Sequence, residues 1–105
     1  MVRFEVYYIN LNPTQGSEIN KVRPCVIVSP DQMNRNLNTL IVAPLTSTLK
    51  AYPVRVNCTV ANKTGQIALD HIRSVDKTRL GNKIADLDAD TQKNVLRVLA
   101  EMFAE

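Results

Sequence analysis

Apolar and polar residues alternate at the start of the chain: in residues 3–10, Phe4, Val6 and Tyr8 fall on every second position and would share one face of a β-strand. Turn-forming and polar residues follow from Asn12 to Arg23, predicting a loop of about ten residues, a length often reserved for function in a small domain. Cys25-Val26-Ile27-Val28 is a short apolar run between Pro24 and Pro30, as expected of a strand buried on both faces, with Pro24 as its first residue, where no ladder donor is required. Residues 31–38 are polar and predict a connection. Residues 39–43 predict a third strand that Pro44 ends. Residues 54–60 alternate and predict a fourth, 61–65 predict a turn, and 66–75 predict a fifth β-rich run with Ile67, Leu69, Ile72 and Val75 facing inward.

The period changes near the C-terminus. Val95, Leu96, Leu99, Met102 and Phe103 fall at i, i+1, i+4, i+7 and i+8, which makes an apolar stripe on an α-helix. Asp88 and Asp90 precede it and suit its positive end. The stripe is expected to cover the open face of the sheet. The fold class is therefore mainly β with a terminal helix (α+β). A strongly bent antiparallel sheet of this size closes as an SH3-like partial barrel or an OB-like barrel, and periodicity does not separate the two.

Composition adds limits. The 105 residues suit one domain, 1–105, with a core that needs no metal or disulfide staple. An apolar share of 45% argues against a disordered chain. The N-terminal MVRFEVYY lacks the apolar core of a signal peptide, and no run reaches the roughly 20 apolar residues of a membrane span, so a cytoplasmic protein is expected. Cys25 and Cys58 lie in β-like runs without metal-site spacing and read as reduced packing residues. The net charge of +3 is uneven. Residues 1–85 hold eleven basic and five acidic residues against two and five in residues 86–105, so the β-rich part is a candidate surface for a polyanion.

Four segments then narrow the reading. Asn12-Pro13-Thr14-Gln15-Gly16-Ser17-Glu18 ends the first strand, Arg23-Pro24 opens an apolar strand, Pro44-Leu45-Thr46-Ser47 follows the third, and Asp70-His71-Ile72-Arg73-Ser74-Val75-Asp76-Lys77-Thr78-Arg79-Leu80 comes last. In this order and spacing they resemble the Asp-Pro-x-x-Gly-Ser-Glu, Arg-Pro-apolar, Pro-x-Thr-Ser and Gln-Ile-Arg-Thr-Ile-Asp-x-x-Arg-Leu segments of the MazF/PemK toxin family. The resemblance implies an SH3-like barrel of about five to seven antiparallel strands with a C-terminal helix, assembled as a homodimer. It further implies sequence-specific cleavage of single-stranded mRNA without metal or cofactor, held in check by a cognate antitoxin protein.

The same resemblance makes Arg23 and Thr46 the catalytic candidates. Their chemistry fits, because a guanidinium matches phosphate oxygens bidentately and a threonine hydroxyl adds a neutral donor to them. An arginine is a poor general base, so Glu18 is the first candidate for accepting a proton and Asp70 the second. Ser17, Ser47, Asn34, Tyr52, Asp70 and Arg73 are the candidate RNA contacts, with Tyr52 the aromatic that a loop would offer to a base. Asp70 and His71, read as strand neighbours, would point to opposite faces and not serve one site. His71 stands where the family pattern has Gln, which favours a structural role. Two alternatives share the fold. One is a toxin similar to the CcdB class that poisons DNA gyrase, and the lack of any Trp in the chain speaks against it. The other is a silent RNA-binding module.

Overall fold

The computed structural model describes residues 1–12 and 22–105. The candidates Ser17 and Glu18 lie outside the described residues. Among the described ones, the strands are β1 (Glu5–Asn10), β2 (Val22–Ile27), β3 (Thr39–Thr46), β4 (Arg55–Val60), β5 (Lys63–Ala68), β6 (Arg73–Asp76) and β7 (Leu80–Asp86). Two helices, α1 (Asp31–Asn36) and α2 (Ala89–Met102), complete the described elements together with two short 3₁₀ turns, Leu69–His71 and Lys77–Arg79. The strands pair antiparallel in the order β4-β5-β3-β2-β1-β7, with β6 joined to β3. Because β3 pairs with β2 through Pro44 and with β5 from Leu45 onward, the sheet curls at that point into a half-barrel.

That change of partner explains two departures from the sequence-based reading. Pro24 and Pro44 do not bound their strands but lie inside them: Pro24 faces Tyr8 of β1, just past the β2–β3 ladder, and Pro44 is in the last pair of that ladder. The strand ladder also starts earlier than expected, so Arg23 is strand and not loop: its backbone faces Ile9 of β1. The β4–β5 turn is shorter than expected. Ala61 and Asn62 take φ values of 51° and 65°, the two left-handed positions of a two-residue hairpin, and Lys63 already pairs with Val60.

Alternation along β2 splits the core in two. Cys25 and Ile27 turn toward Ile9, Leu11, Leu40, Val42 and Val75, whereas Val26 and Val28 join Val6, Ala43, Ile67, Leu69, Val56 and the helix residues Val95 and Val98. The expected two-sided burial of residues 25–28 is met. In β1 the alternation holds, with Val6 in one core and Ile9 in the other, but Tyr8, on the face of Val6, is 45% exposed because it reaches the cleft past the edge of that core. The long run 66–75 is not one strand, since the 3₁₀ turn Leu69–His71 breaks it, but Ile67, Leu69 and Val75 are buried as expected.

Helix α2 is where the terminal period placed it. Asp88 caps it by accepting the Thr91 N–H at 3.2 Å and the Thr91 hydroxyl at 2.5 Å, and Asp90 lies in its first turn. The buried face carries Thr91, Val95 and Val98, with Leu99 and Met102 packed beside them, while Leu96 and Phe103 are exposed. The predicted stripe is therefore rotated: Thr91, tied to its cap, and Val98 take the inward positions. Among the described residues no helix is long and apolar enough to cross a membrane.

Two elements were missed: α1, whose residues lie in the stretch 31–38 read as a polar connection, and β7, an edge strand with Gly81, Asn82 and Asp86, residues of low β-propensity. Lys83 on it bonds Glu5 of β1 at 2.8 Å and Asp86 at 3.1 Å. Glu5 is 13% exposed at its side chain. Burial opposes its ionisation, but bonds from Lys83, the Val2 N–H and the Tyr7 hydroxyl outweigh that and bring its pKa down to about 2. A carboxylate depressed in the folded state contributes stability above its ordinary pKa of 4.5 and loses that contribution as the pH falls toward 2. Urea titrations from pH 6 to pH 2 are expected to show roughly 1–3 kcal/mol of acid-sensitive stability. Glu5→Gln should remove most of it, and an unchanged pH slope in that variant would contradict this assignment.

Candidate RNA-cleaving cleft

Where β3 leaves β2, a cleft of about 260 Å³ opens, lined among others by Tyr8, Arg23, Thr46, Ser47, Lys63 and Ile84. Its apolar wall includes Leu45, Cys58 and Val60. Burial holds the Cys58 thiol, with Asp88 adding to the effect, up at about 11, so at neutral pH it is a packing group and not a thiolate nucleophile. Cys25 behaves alike: burial raises it to about 12 against the pull of Arg73 and Arg23. Both cysteines are free and buried, as the sequence suggested.

Arg23 and Thr46 meet at this cleft because of where β2 and β3 separate. The β2–β3 ladder ends at the Cys25–Pro44 pair, and Arg23 and Thr46 lie two residues beyond it, where the strands part and β3 turns to β5, so both line the cleft that opens there. Arg23 is half-buried, and its guanidinium makes no hydrogen bond or ion pair to another described residue. The Thr46 oxygen accepts the Thr48 N–H at 3.1 Å, which leaves the hydroxyl hydrogen to donate elsewhere. Ser47, next in the chain, is exposed on the rim. The cleft therefore offers a cation and a hydroxyl donor on a curved and partly apolar surface.

The other candidates lie elsewhere. Asn34 is 2% exposed on α1, its Nδ2 donating to the Ser29 carbonyl at 3.0 Å and its Oδ1 accepting from the Ser29 hydroxyl, so it is spent on the fold and is not a base reader. Arg73 donates to the Leu11 carbonyl at 3.2 Å from a half-buried position. Asp70 is held by Arg55 in a two-point ion pair of 2.7 and 3.1 Å. The Arg55 bond keeps the Asp70 carboxyl below its ordinary range, which makes it a weak proton acceptor. His71 shares the 3₁₀ turn with Asp70, and its Nε2 stands 3.5 Å from the Asp70 Oδ2. The expectation that the two point apart fails because this stretch is a tight turn and not a strand. Tyr52 is 50% exposed, outside the cleft, with the Arg55 guanidinium 5.4 Å from its ring centre.

Sequence reasoning missed two cleft residues. Tyr8 was assigned inward by alternation, and it keeps that face but lies past the edge of the core, as an exposed aromatic on the cleft. Lys63 was read as part of a turn, but the two-residue hairpin brings it to the rim as an exposed cation. A charge count could have flagged Lys63; no sequence signal announces where the core ends beside Tyr8.

Comparison with known proteins agrees with this architecture. An Endoribonuclease MazF of Staphylococcus saprophyticus is 34% identical over 101 residues, covering 90% of this chain and 84% of its own length. A crystal structure of MazF from Deinococcus radiodurans superposes with a TM-score of 0.83 at 27% identity, over 97% of this chain and 94% of the other. A mycobacterial endoribonuclease in complex with its cognate antitoxin reaches a TM-score of 0.82 at 24% identity, covering 96% and 92%. The pattern described as PemK-like, MazF-like toxin of type II toxin-antitoxin system matches residues 2–103. With fold, motif order and relatives in accord, the chain belongs to the PemK-like, MazF-like family of type II toxin-antitoxin toxins.

Proposed function

We infer that the protein is the toxin of such a system and an endoribonuclease that cuts single-stranded mRNA in the cytoplasm. The observation that carries this reading is the cleft that Arg23, Thr46 and Ser47 line together. The substrate's 2′-OH attacks the adjacent phosphorus, the P–O5′ bond breaks, and the products are a 2′,3′-cyclic phosphate and a free 5′-OH. Charge builds on the non-bridging oxygens along this path. Arg23 meets it with paired N–H donors and Thr46 with its hydroxyl, an arrangement that acts most strongly where a wall such as Leu45, Cys58 and Val60 reduces water.

Two protons must move. The 2′-OH must lose one, for which Glu18 is our candidate, and Asp70 is set aside by its pairing with Arg55. The leaving 5′ oxygen must gain one, for which an Arg23 N–H is our candidate. Lys63 supplies a second cation for the RNA backbone, and Tyr8 offers a face on which a base can stack. Sequence-specific recognition, a homodimeric assembly and inhibition by a cognate antitoxin complete the proposal, the last supported by a mycobacterial endoribonuclease solved in complex with its cognate antitoxin. A gyrase poison on the same scaffold would need none of this cleft chemistry.

The test is direct. Purified protein incubated with a long RNA in EDTA should yield fragments with 5′-OH ends. RNA left intact across varied sequences and conditions would overturn the reading, and loss of supercoiling by gyrase under the same protein would favour its rival.

A further inference from the structure

One row of side chains runs across three strands. Asn57 of β4 pairs with Gln66 of β5, and Gln66 pairs with Thr46 of β3, which lines the cleft together with Arg23. Gln66 and Asn57 thus continue, on the same face, the line of the proposed phosphate clamp.

The orientation of this row is dictated by backbone atoms. Gln66 is only 6% exposed. Its Oε1 accepts the Lys50 N–H at 3.0 Å, and its Nε2 donates to the Lys50 carbonyl at 3.0 Å. A backbone N–H only donates and a carbonyl only accepts, so the glutamine amide has one way to sit. Its remaining Nε2 hydrogen goes to the Asn57 Oδ1 at 3.0 Å. Asn57 is fixed in turn, oxygen toward Gln66 and Nδ2 away from it. Asn57 is exposed, and its Nδ2 makes no hydrogen bond to another described residue. Arg55, two residues earlier on the same strand, does not compete as a donor, because Asp70 holds its guanidinium.

We propose that Asn57 is a specificity-determining residue, and Gln66 its positioning residue. The outward Nδ2 of Asn57 donates to an acceptor, a carbonyl oxygen or ring nitrogen, on the edge of a base beside the scissile phosphate, and disfavours a base that presents an amino group there. This rests on the ribonuclease reading. A side-chain amide free to turn over would accept either kind of group, so discrimination depends on the lock that Gln66 and Lys50 provide.

The experiment uses the full chain and a pool of single-stranded RNA with random bases around the cut, with the 5′ ends of the products sequenced. In Asn57→Asp the donor becomes an acceptor. At one position beside the cut, the base preferred by the unaltered protein should lose about tenfold or more in relative cleavage, and bases with an amino group there should gain. Gln66→Met keeps the buried volume but releases the Asn57 amide, and should flatten the preference at that same position and at no other. Thermal melting checks that both variants fold. Unchanged preferences in Asn57→Asp would overturn the proposal. So would an equal loss at every sequence, the mark of a phosphate contact or simple charge repulsion. If the unaltered protein leaves the pool intact, the ribonuclease reading itself fails and this inference falls with it, an outcome distinct from cleavage with preserved preferences.

Discussion

Arg23→Ala is expected to lower RNA cleavage by about a thousandfold or more in single-turnover assays, with the folded state retained. The size follows from what the residue is asked to supply. Removing a single preorganised donor from a developing oxyanion costs about 10² to 10³ in rate, and Arg23 offers two donors and a full charge. Thr46 on the same cleft is neutral, and the other cation among its described lining residues, Lys63, sits on the exposed hairpin. Folding should be little affected, because the guanidinium makes no bond to another described residue and truncation leaves no partner unpaired. Arg23→Lys should recover only a small part of the rate. An ammonium is a point charge that cannot hold two phosphate oxygens in a fixed plane. The two variants thus separate charge from geometry: full rescue by lysine would mean that charge alone serves, and near-normal cleavage by Arg23→Ala would remove Arg23 from the chemistry.

Much of this site was readable before any coordinates. Four ordered motifs singled out Arg23 and Thr46, and the cleft that opens where β3 leaves β2 then explains how residues 23 positions apart come to one place. Fold class, the two-faced burial of Cys25 to Val28 and the capped terminal helix follow from local rules, since period, turn residues and caps are properties of short windows. What was not legible depends on neighbours distant in sequence. Asn34 reads as a polar loop residue, yet a serine five residues earlier draws it inside. Asp70 reads as a free carboxylate until β4 brings Arg55 to it. Tyr8 reads as core until the sheet places it past the core's edge, on the cleft. β7 reads as connection because its residues are poor strand formers and its place is won by pairing with β1 and by the Lys83–Glu5 bond. Gln66 carried no motif at all. Its value lies in three hydrogen bonds to two residues, Lys50 and Asn57, which only the hairpin and the returning 47–54 connection bring together.

The second large effect concerns a residue with no side chain. A Cβ placed on Gly65 would lie 2.6 Å from the backbone oxygen of Thr46, well inside van der Waals contact, and the obstacle is main chain that no rotamer change can move. Gly65 sits opposite Cys58 in β5, one residue before the Gln66 that pairs with Thr46. Alanine there must push β3 and β5 apart at the point where Thr46 leaves the β2 ladder. The expected result is a loss of about a hundredfold or more in cleavage, the scale associated with displacing a catalytic group by about 1 Å. Stability should fall by about 1–3 kcal/mol, as for other overpacked positions. Gly81→Ala is the comparison: its Cβ would approach the Tyr8 carbonyl at 3.1 Å on the outermost strand, where a shift of a few tenths of an ångström relieves it. Urea unfolding and single-turnover cleavage of both variants, side by side, decide the matter. A Gly65→Ala protein as stable and as active as the parent would mean that β3 and β5 are not in close contact at Thr46, and the clamp geometry drawn from that register would have to be abandoned.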